Sequence, residues 1–110
     1  MDKDVAIFEK AVNLARDAFN NGYSPVGAVV TNQSGVVVKE ASSKRQIGNI
    51  LHAEYLALRY FQPLQGSRYT LYSTLEPCIM CAGMATVMKF DRIMWLTDDF
   101  WGGASRVYNP

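Results

Sequence analysis

The single histidine and the two cysteines of this 110-residue chain fall in two short motifs, His52-Ala53-Glu54 and Pro77-Cys78-Ile79-Met80-Cys81. A neutral imidazole and two thiolates make three ligands of a catalytic zinc site whose fourth tetrahedral position is left for water. A fold that uses them must bring two distant segments together. Glu54 then supplies a carboxylate that need not touch the metal. H-x-E alone is common by chance, and an isolated C-x-x-C also suits a redox pair or half of a structural zinc site. A closed structural site wants a fourth Cys or His, and this sequence has none. The bland readings are a hydrogen-bonded core histidine at His52 and a solvated helix residue at Glu54, and both carry less weight.

The surrounding pattern supplies the setting. Val5, Phe8, Val12, Ala15 and Phe19 recur at steps of three or four, with Ile7, Ala11, Leu14 and Ala18 widening the stripe. This predicts an amphipathic helix from Val5 to Asn21, ended by Gly22. Two β-branched runs, Val26 to Thr31 and Val36 to Lys39, flank Asn32-Gln33-Ser34-Gly35 and predict a hairpin. Their near-continuous apolarity predicts that both faces of the sheet are covered. Ala41 to Leu51 reads as a loop. A second helix is expected from His52 to Gln62, stopped by Pro63, then a strand from Tyr69 to Thr74. Pro77 suits the first turn of a third helix running to about Lys89, since its missing N–H is an unpaired donor there anyway. A fourth strand follows from Arg92 to Leu96.

The order α-β-β-α-β-α-β predicts an α/β fold, a three-layer α/β/α sandwich with a mixed central sheet. Residues 1–110 read as one domain. Thr97 to Pro110 is expected to fold as a loop over the site or the sheet edge. Met80, Met84, Met88 and Met94 read as adaptable core filling.

Cys78 and Cys81, at i and i+3, share one face near a helix start, where unpaired N–H groups and the helix dipole favour thiolates. His52 and Glu54, two residues apart, point about 200° away from each other on a helix. They share a site only if that helix meets it end-on, so the N-termini of the second and third helices are expected to converge on one metal. Zinc lowers the pKa of bound water far below its bulk value. Glu54 can take that proton, deliver it to a ring nitrogen of a base and later pass a proton to the leaving amine.

Composition narrows the setting. Eleven Lys and Arg against ten Asp and Glu leave a formal charge of +1, which neither supports nor excludes a long nucleic-acid footprint. Lys44 and Arg45 form the one adjacent basic pair, read as a solvated loop in preference to a phosphate contact. Both cysteines lie in one motif, which argues against a disulfide framework and fits a reducing compartment. No apolar run approaches the roughly 20 residues of a membrane span, and the N-terminus lacks a secretory pattern. The reading is a soluble, cytoplasmic protein.

The spacing H-x-E followed by P-C-x-x-C is that of zinc-dependent nucleobase deaminases. The stretch Thr74-Leu75-Glu76-Pro77-Cys78-Ile79-Met80-Cys81-Ala82-Gly83-Met84 closely resembles the second motif of the tRNA adenosine deaminase and guanine deaminase branch of the cytidine-deaminase-like superfamily. Pro25-Val26-Gly27-Ala28-Val29 and His52-Ala53-Glu54 match in the right order, and the likeness runs from the first helix to about Leu96. The resemblance implies a cytidine-deaminase-like fold, shortened at the C-terminus, where relatives continue into a further strand and helices. It implies Zn2+ held by His52, Cys78 and Cys81, with Glu54 as the proton shuttle. It places the backbone of Ala53 and of Pro25, Val26 and Gly27 near the base. The asparagine that follows the second strand in many such enzymes is missing from Ala41-Ser42-Ser43-Lys44, and Ser43 or Asn49 is the expected substitute. Phe100 and Trp101 suit either base stacking or, preferably, packing on the sheet; Tyr23 and Ser24 suit either the pocket mouth or a plain turn.

The leading expectation is therefore a zinc-dependent hydrolase that converts an aminated nucleobase to its oxo form, most similar to tRNA adenosine deaminases. Alternatives are a deaminase of free cytosine or guanine bases or nucleosides, and a deaminase of single-stranded DNA or RNA. From another class comes a non-catalytic, zinc-stabilised subunit, against which Glu54 weighs. A homodimer is expected, because a four-stranded sheet leaves an edge with Ile93, Met94 and Trp95 uncovered.

Overall fold

The computed structural model describes residues 2–46, 49–99 and 102–106. The first helix, α1 (Asp2–Asn20), buries Ala11, Ala15 and Ala18 along its centre, with Ile7, Phe8 and Leu14 beside them. It ends where glycine was expected to end it. Tyr23 N–H donates to the Ala18 carbonyl (2.9 Å), Gly22 N–H to that of Phe19 (3.0 Å), and Gly22 takes φ +83. This is a Schellman cap, in which a left-handed residue satisfies the last helical carbonyls.

Strands β1 (Gly27–Asn32) and β2 (Val37–Ser42) form the predicted hairpin. Asn32 Oδ1 accepts the N–H groups of Ser34 (2.9 Å) and Val36 (3.1 Å), folding the turn from within. Then come α2 (Ala53–Leu58), β3 (Tyr69–Leu75), α3 (Ile79–Val87), β4 (Arg92–Thr97) and one 3-10 turn (Ala104–Arg106). The sheet order is β2-β1-β3-β4. β1 is antiparallel to both neighbours, whereas β3 and β4 are parallel and joined by the α3 crossover.

Period-two alternation divides the apolar residues between two cores. Ala28, Val30, Tyr69, Leu71 and Ile93 meet Ala53, Ala57 and Leu58 of α2 and Ala85 of α3. Val29, Tyr72 and Met94 meet α1 on the opposite face. This is the three-layer sandwich with a mixed sheet that the element order implied. A register shift beside Val30 and Thr31 inserts one extra residue into β2. It turns Val37 toward α1 and Ala41 toward the other layer.

Three expectations are corrected. Coverage of both faces holds for β1 but not for β2, an edge strand whose Val38, Lys39 and Glu40 are exposed. Helix α2 ends at Leu58 and not at Gln62, because Phe61 leaves the helix to pack edge-on against Tyr69 (centroids 4.9 Å apart) and Phe90. Helix α3 starts at Ile79 and not at Pro77. The backbone just before it is engaged elsewhere: Glu76 N–H bonds the Thr97 carbonyl, and the Pro77 carbonyl accepts from Ala104 N–H. Among the described residues, no helix is long and apolar enough to cross a membrane.

Candidate active site

Two helix starts make the site. His52 is the N-cap of α2 and Cys78 the N-cap of α3, both with extended backbone, and Cys81 lies three residues into α3. The end-on convergence expected from the spacing is present. Nδ1 of His52 lies 3.5 Å from Cys78 Sγ, and one ligand atom from each of His52, Cys78 and Cys81 falls within 4.8 Å of the others. A tetrahedral zinc with bonds of about 2.3 Å to sulfur and about 2.0 Å to nitrogen holds those atoms about 3.5 Å apart. The donor set and its spacing therefore fit zinc.

Electrostatics in the cluster follow from its geometry. Cys78 is brought down to about 5, first by the hydrogen bond from Cys81 and then by backbone N–H groups at the start of α3, against the opposing effect of burial. Cys81 is pushed far above the usual thiol range, first because it donates to Cys78 and then by burial. Glu54, only 3% exposed at the start of α2, is raised to about 7 by burial, outweighing the lowering effects of its own backbone N–H and of Ser73.

A cavity of about 370 Å³ opens beside these groups, lined by Ser24, Val26, Ser43, Arg45, His52, Ala53, Glu54, Leu75, Glu76, Cys78, Asp99 and Gly102. Of the residues singled out in the sequence for contact with a base, Ala53, Val26 and Ser43 line it. Pro25, Gly27 and Asn49 do not. Gly27 is where α1 crosses β1: a Cβ there would overlap the Ala11 carbonyl oxygen and lie 2.8 Å from Leu14 Cβ. Its glycine serves helix-on-sheet packing, a demand the motif alone does not reveal. Asn49 organises its own loop, its Oδ1 accepting from Leu51 N–H (3.1 Å) and Gln46 N–H (3.3 Å). Ser24 lines the mouth and Tyr23 does not. Phe100 and Trp101 lie outside the described residues.

Arg45 and Glu76 are among the lining groups that the sequence did not mark as site residues. Arg45, expected in a solvated loop, donates Nε–H to His52 Nε2 at 3.0 Å. Glu76 is buried and accepts the N–H groups of Asp99 (3.1 Å) and Ser105 (2.9 Å) and the Ser105 hydroxyl. Those bonds, Ser105's first, hold its carboxyl below the usual range. They hold Asp99 and Ser105 beside the site, the first of the two places expected for the tail. No local periodicity marks Glu76 for this role; an acidic residue between an apolar strand and Pro77 was the available signal.

A three-layer α/β/α sandwich that joins one imidazole and two thiols at two helix starts, with a buried carboxyl beside them, defines a zinc-dependent hydrolytic centre. Residues 1–97 match the cytidine and deoxycytidylate deaminase zinc-binding region. The chain belongs to that family and is a zinc-dependent deaminase by descent. It is 30% identical over 105 residues to the tRNA-specific adenosine deaminase of Aquifex aeolicus, covering 90% of this chain and 70% of the relative. It is 32% identical over 111 residues to that of Bacillus subtilis, covering 96% and 68%. The chain thus spans about two thirds of the length of these relatives. A solved structure from work on A-to-I editing by tRNA:A34 deaminases superposes with a TM-score of 0.79 at 30% identity, over 92% of this chain and 82% of that one. The guanine deaminase of Bacillus subtilis superposes with a TM-score of 0.71 at 25% identity, over 91% and 71%.

Proposed function

We propose that this chain deaminates adenosine to inosine in tRNA, with Glu54 as the proton shuttle and His52, Cys78 and Cys81 as the zinc ligands. The observation that carries the reading is Glu54: buried, raised to about 7 and aimed at the same cavity as the ligand cluster. A carboxyl poised near neutrality can both accept and return a proton. The chemistry the metal supplies when bound is a water acidic enough to attack at neutral pH. Glu54 would take one proton from the attacking water and pass it to a ring nitrogen, then carry the remaining proton of the newly added hydroxyl to the amine, which departs as ammonia. Ala53, Val26 and Ser43 form the wall against which the base would rest. The choice of adenosine in tRNA is supported by the curated relatives, which are named for that activity.

The second reading is a free-base or nucleoside deaminase, favoured by a wall carrying three carboxyl groups, Glu54, Glu76 and Asp99. We take residues 1–110 as one deaminase domain of a cytoplasmic protein. A homodimer is proposed from exposed Trp95 and Leu96 on edge strand β4, together with Ile79 and Val87 on α3. The deciding experiment incubates zinc-loaded protein with tRNA transcripts, adenosine, cytosine and guanine, and measures ammonia and inosine. Inosine in tRNA is the expected product; ammonia from guanine or cytosine alone would favour the second reading. Light scattering at micromolar concentration should give twice the chain mass.

A further inference from the structure

We propose that Arg45 is the phosphate anchor of this site, a specificity-determining residue on the cavity rim that binds the phosphate of the substrate nucleotide while its base enters the pocket. This rests on the function proposed above and narrows its substrate class to nucleotides or polynucleotides, as opposed to free bases. Glu54, Glu76 and Asp99 all line the cavity, and Arg45 is the only Lys or Arg among the described residues that do. A phosphate drawn to this mouth meets acidic side chains on every other charged part of the wall. Arg45 therefore decides whether a phosphate-bearing substrate is attracted or repelled.

The backbone of Arg45 is fixed while its side chain is free to reach. Its N–H donates to Oγ of buried Ser43 (3.0 Å), and its carbonyl accepts from Ser24 N–H (3.2 Å). The side chain is exposed and spends Nε–H on His52 Nε2. That bond is compatible only with the tautomer of His52 that carries its proton on Nδ1, the nitrogen facing Cys78. An imidazole that gives Nδ1 to a metal carries its proton on Nε2 and has no lone pair left there to accept a hydrogen bond. In the zinc-loaded protein the guanidinium must leave His52. Its planar fork of donors, which matches phosphate oxygens two at a time, then becomes available at the mouth.

The test compares zinc-loaded wild type, Arg45→Met and Arg45→Lys for binding of three deaminated products by calorimetry: inosine, inosine 5′-monophosphate and a short oligoribonucleotide containing inosine. Wild type should bind at least one phosphate-bearing product about tenfold more tightly than inosine, a ratio that Arg45→Met reduces below about twofold and Arg45→Lys partly restores. An advantage seen with the oligonucleotide but not the mononucleotide supports a phosphodiester as the source. The same ratio in wild type and Arg45→Met overturns the proposal. Because His52 is the only histidine, its 15N resonances report the exchange directly: zinc loading should move the proton to Nε2, and a zinc-loaded Nε2 without a proton also overturns it. Wild-type protein that deaminates neither adenosine nor RNA overturns the proposed function itself; deamination that persists while phosphate discrimination is independent of Arg45 overturns only this inference.

Discussion

Ser105 donates its backbone N–H to Glu76 Oε2 at 2.9 Å, and its hydroxyl bonds the same oxygen, so two residues 29 positions apart tie a residue beyond β4 to a carboxylate of the cavity wall. Gly103 makes this approach possible, since a Cβ there would collide with the Glu76 carboxylate. Cys78 and Gly103 also form an isolated antiparallel bridge beside the α3 N-cap. Asp99 and Gly102 are carried onto the cavity wall by the same arrangement.

Glu76→Gln keeps the shape but loses the charge and one acceptor position. Stability should fall by about 1–3 kcal/mol, the cost of leaving charge-assisted donors unsatisfied. Chemical denaturation reads the loss, and hydrogen exchange should accelerate at the amides of Asp99 and Ser105.

Glu54→Gln should lower turnover by at least about 10²-fold with zinc content unchanged, because a general acid–base group is removed and no ligand is touched. Elemental analysis beside the rate measurement separates the two. Full activity with zinc in place would show that Glu54 has no part in proton transfer.

Zinc uptake should release a proton and tighten as pH rises. The Cys81 thiol is pushed up by donating to Cys78, and a thiol must shed its proton to become a ligand. Competition titrations at pH 6 and pH 8 should show weaker binding at the lower pH. Cys81→Ala should abolish stoichiometric zinc.

Gly27→Ala should destabilise the protein by about 2 kcal/mol or more, since the added methyl meets the α1 backbone and no flexible side chain can yield. A conservative substitution at the neighbouring exposed Pro25 should cost less. Denaturant midpoints check both.

Asp4 ties the start of α1 to the sheet, accepting from the Tyr72 hydroxyl at 2.6 Å with Arg92 alongside at 3.5 Å. Tyr72's bond is the main reason its carboxyl lies below the ordinary 3.8. A lowered carboxyl contributes stability that is present above its unfolded pKa and lost as pH falls through the folded one. Asp4→Asn should therefore cost about 0.5–1.5 kcal/mol at pH 7. The gap to wild type should narrow below about pH 4, which denaturation across the acid range would show.

Much of this was legible along the chain because it is local. The α1 stripe, its Gly22 cap and the Asn32 turn depend on residues within a few positions of one another, and spacing alone records them. The ligand set was legible because zinc chemistry admits few residue types and the chain holds few of them. The packing role of Gly27 was not legible, for a different reason. It lies in a stretch matching a family motif, but the demand on it comes from Ala11 and Leu14, a helix away. The loop-organising role of Asn49 was not legible because an amide that organises its own loop has the same sequence signature as one that meets a ligand.

What the amino-acid sequence determined by itself was the chemistry: one imidazole, two thiols and a nearby carboxyl, set at helix starts whose open N–H groups favour the ionised ligands. What only the tertiary structure decided was the surroundings of that chemistry. Which side chain covers the outer nitrogen of His52, which carboxylate anchors the segment after β4, and how far α2 runs before Phe61 turns into the aromatic cluster are contacts between residues 7 to 29 positions apart. Contacts at that range depend on how packed layers meet, and no periodicity of side chains along the chain encodes it.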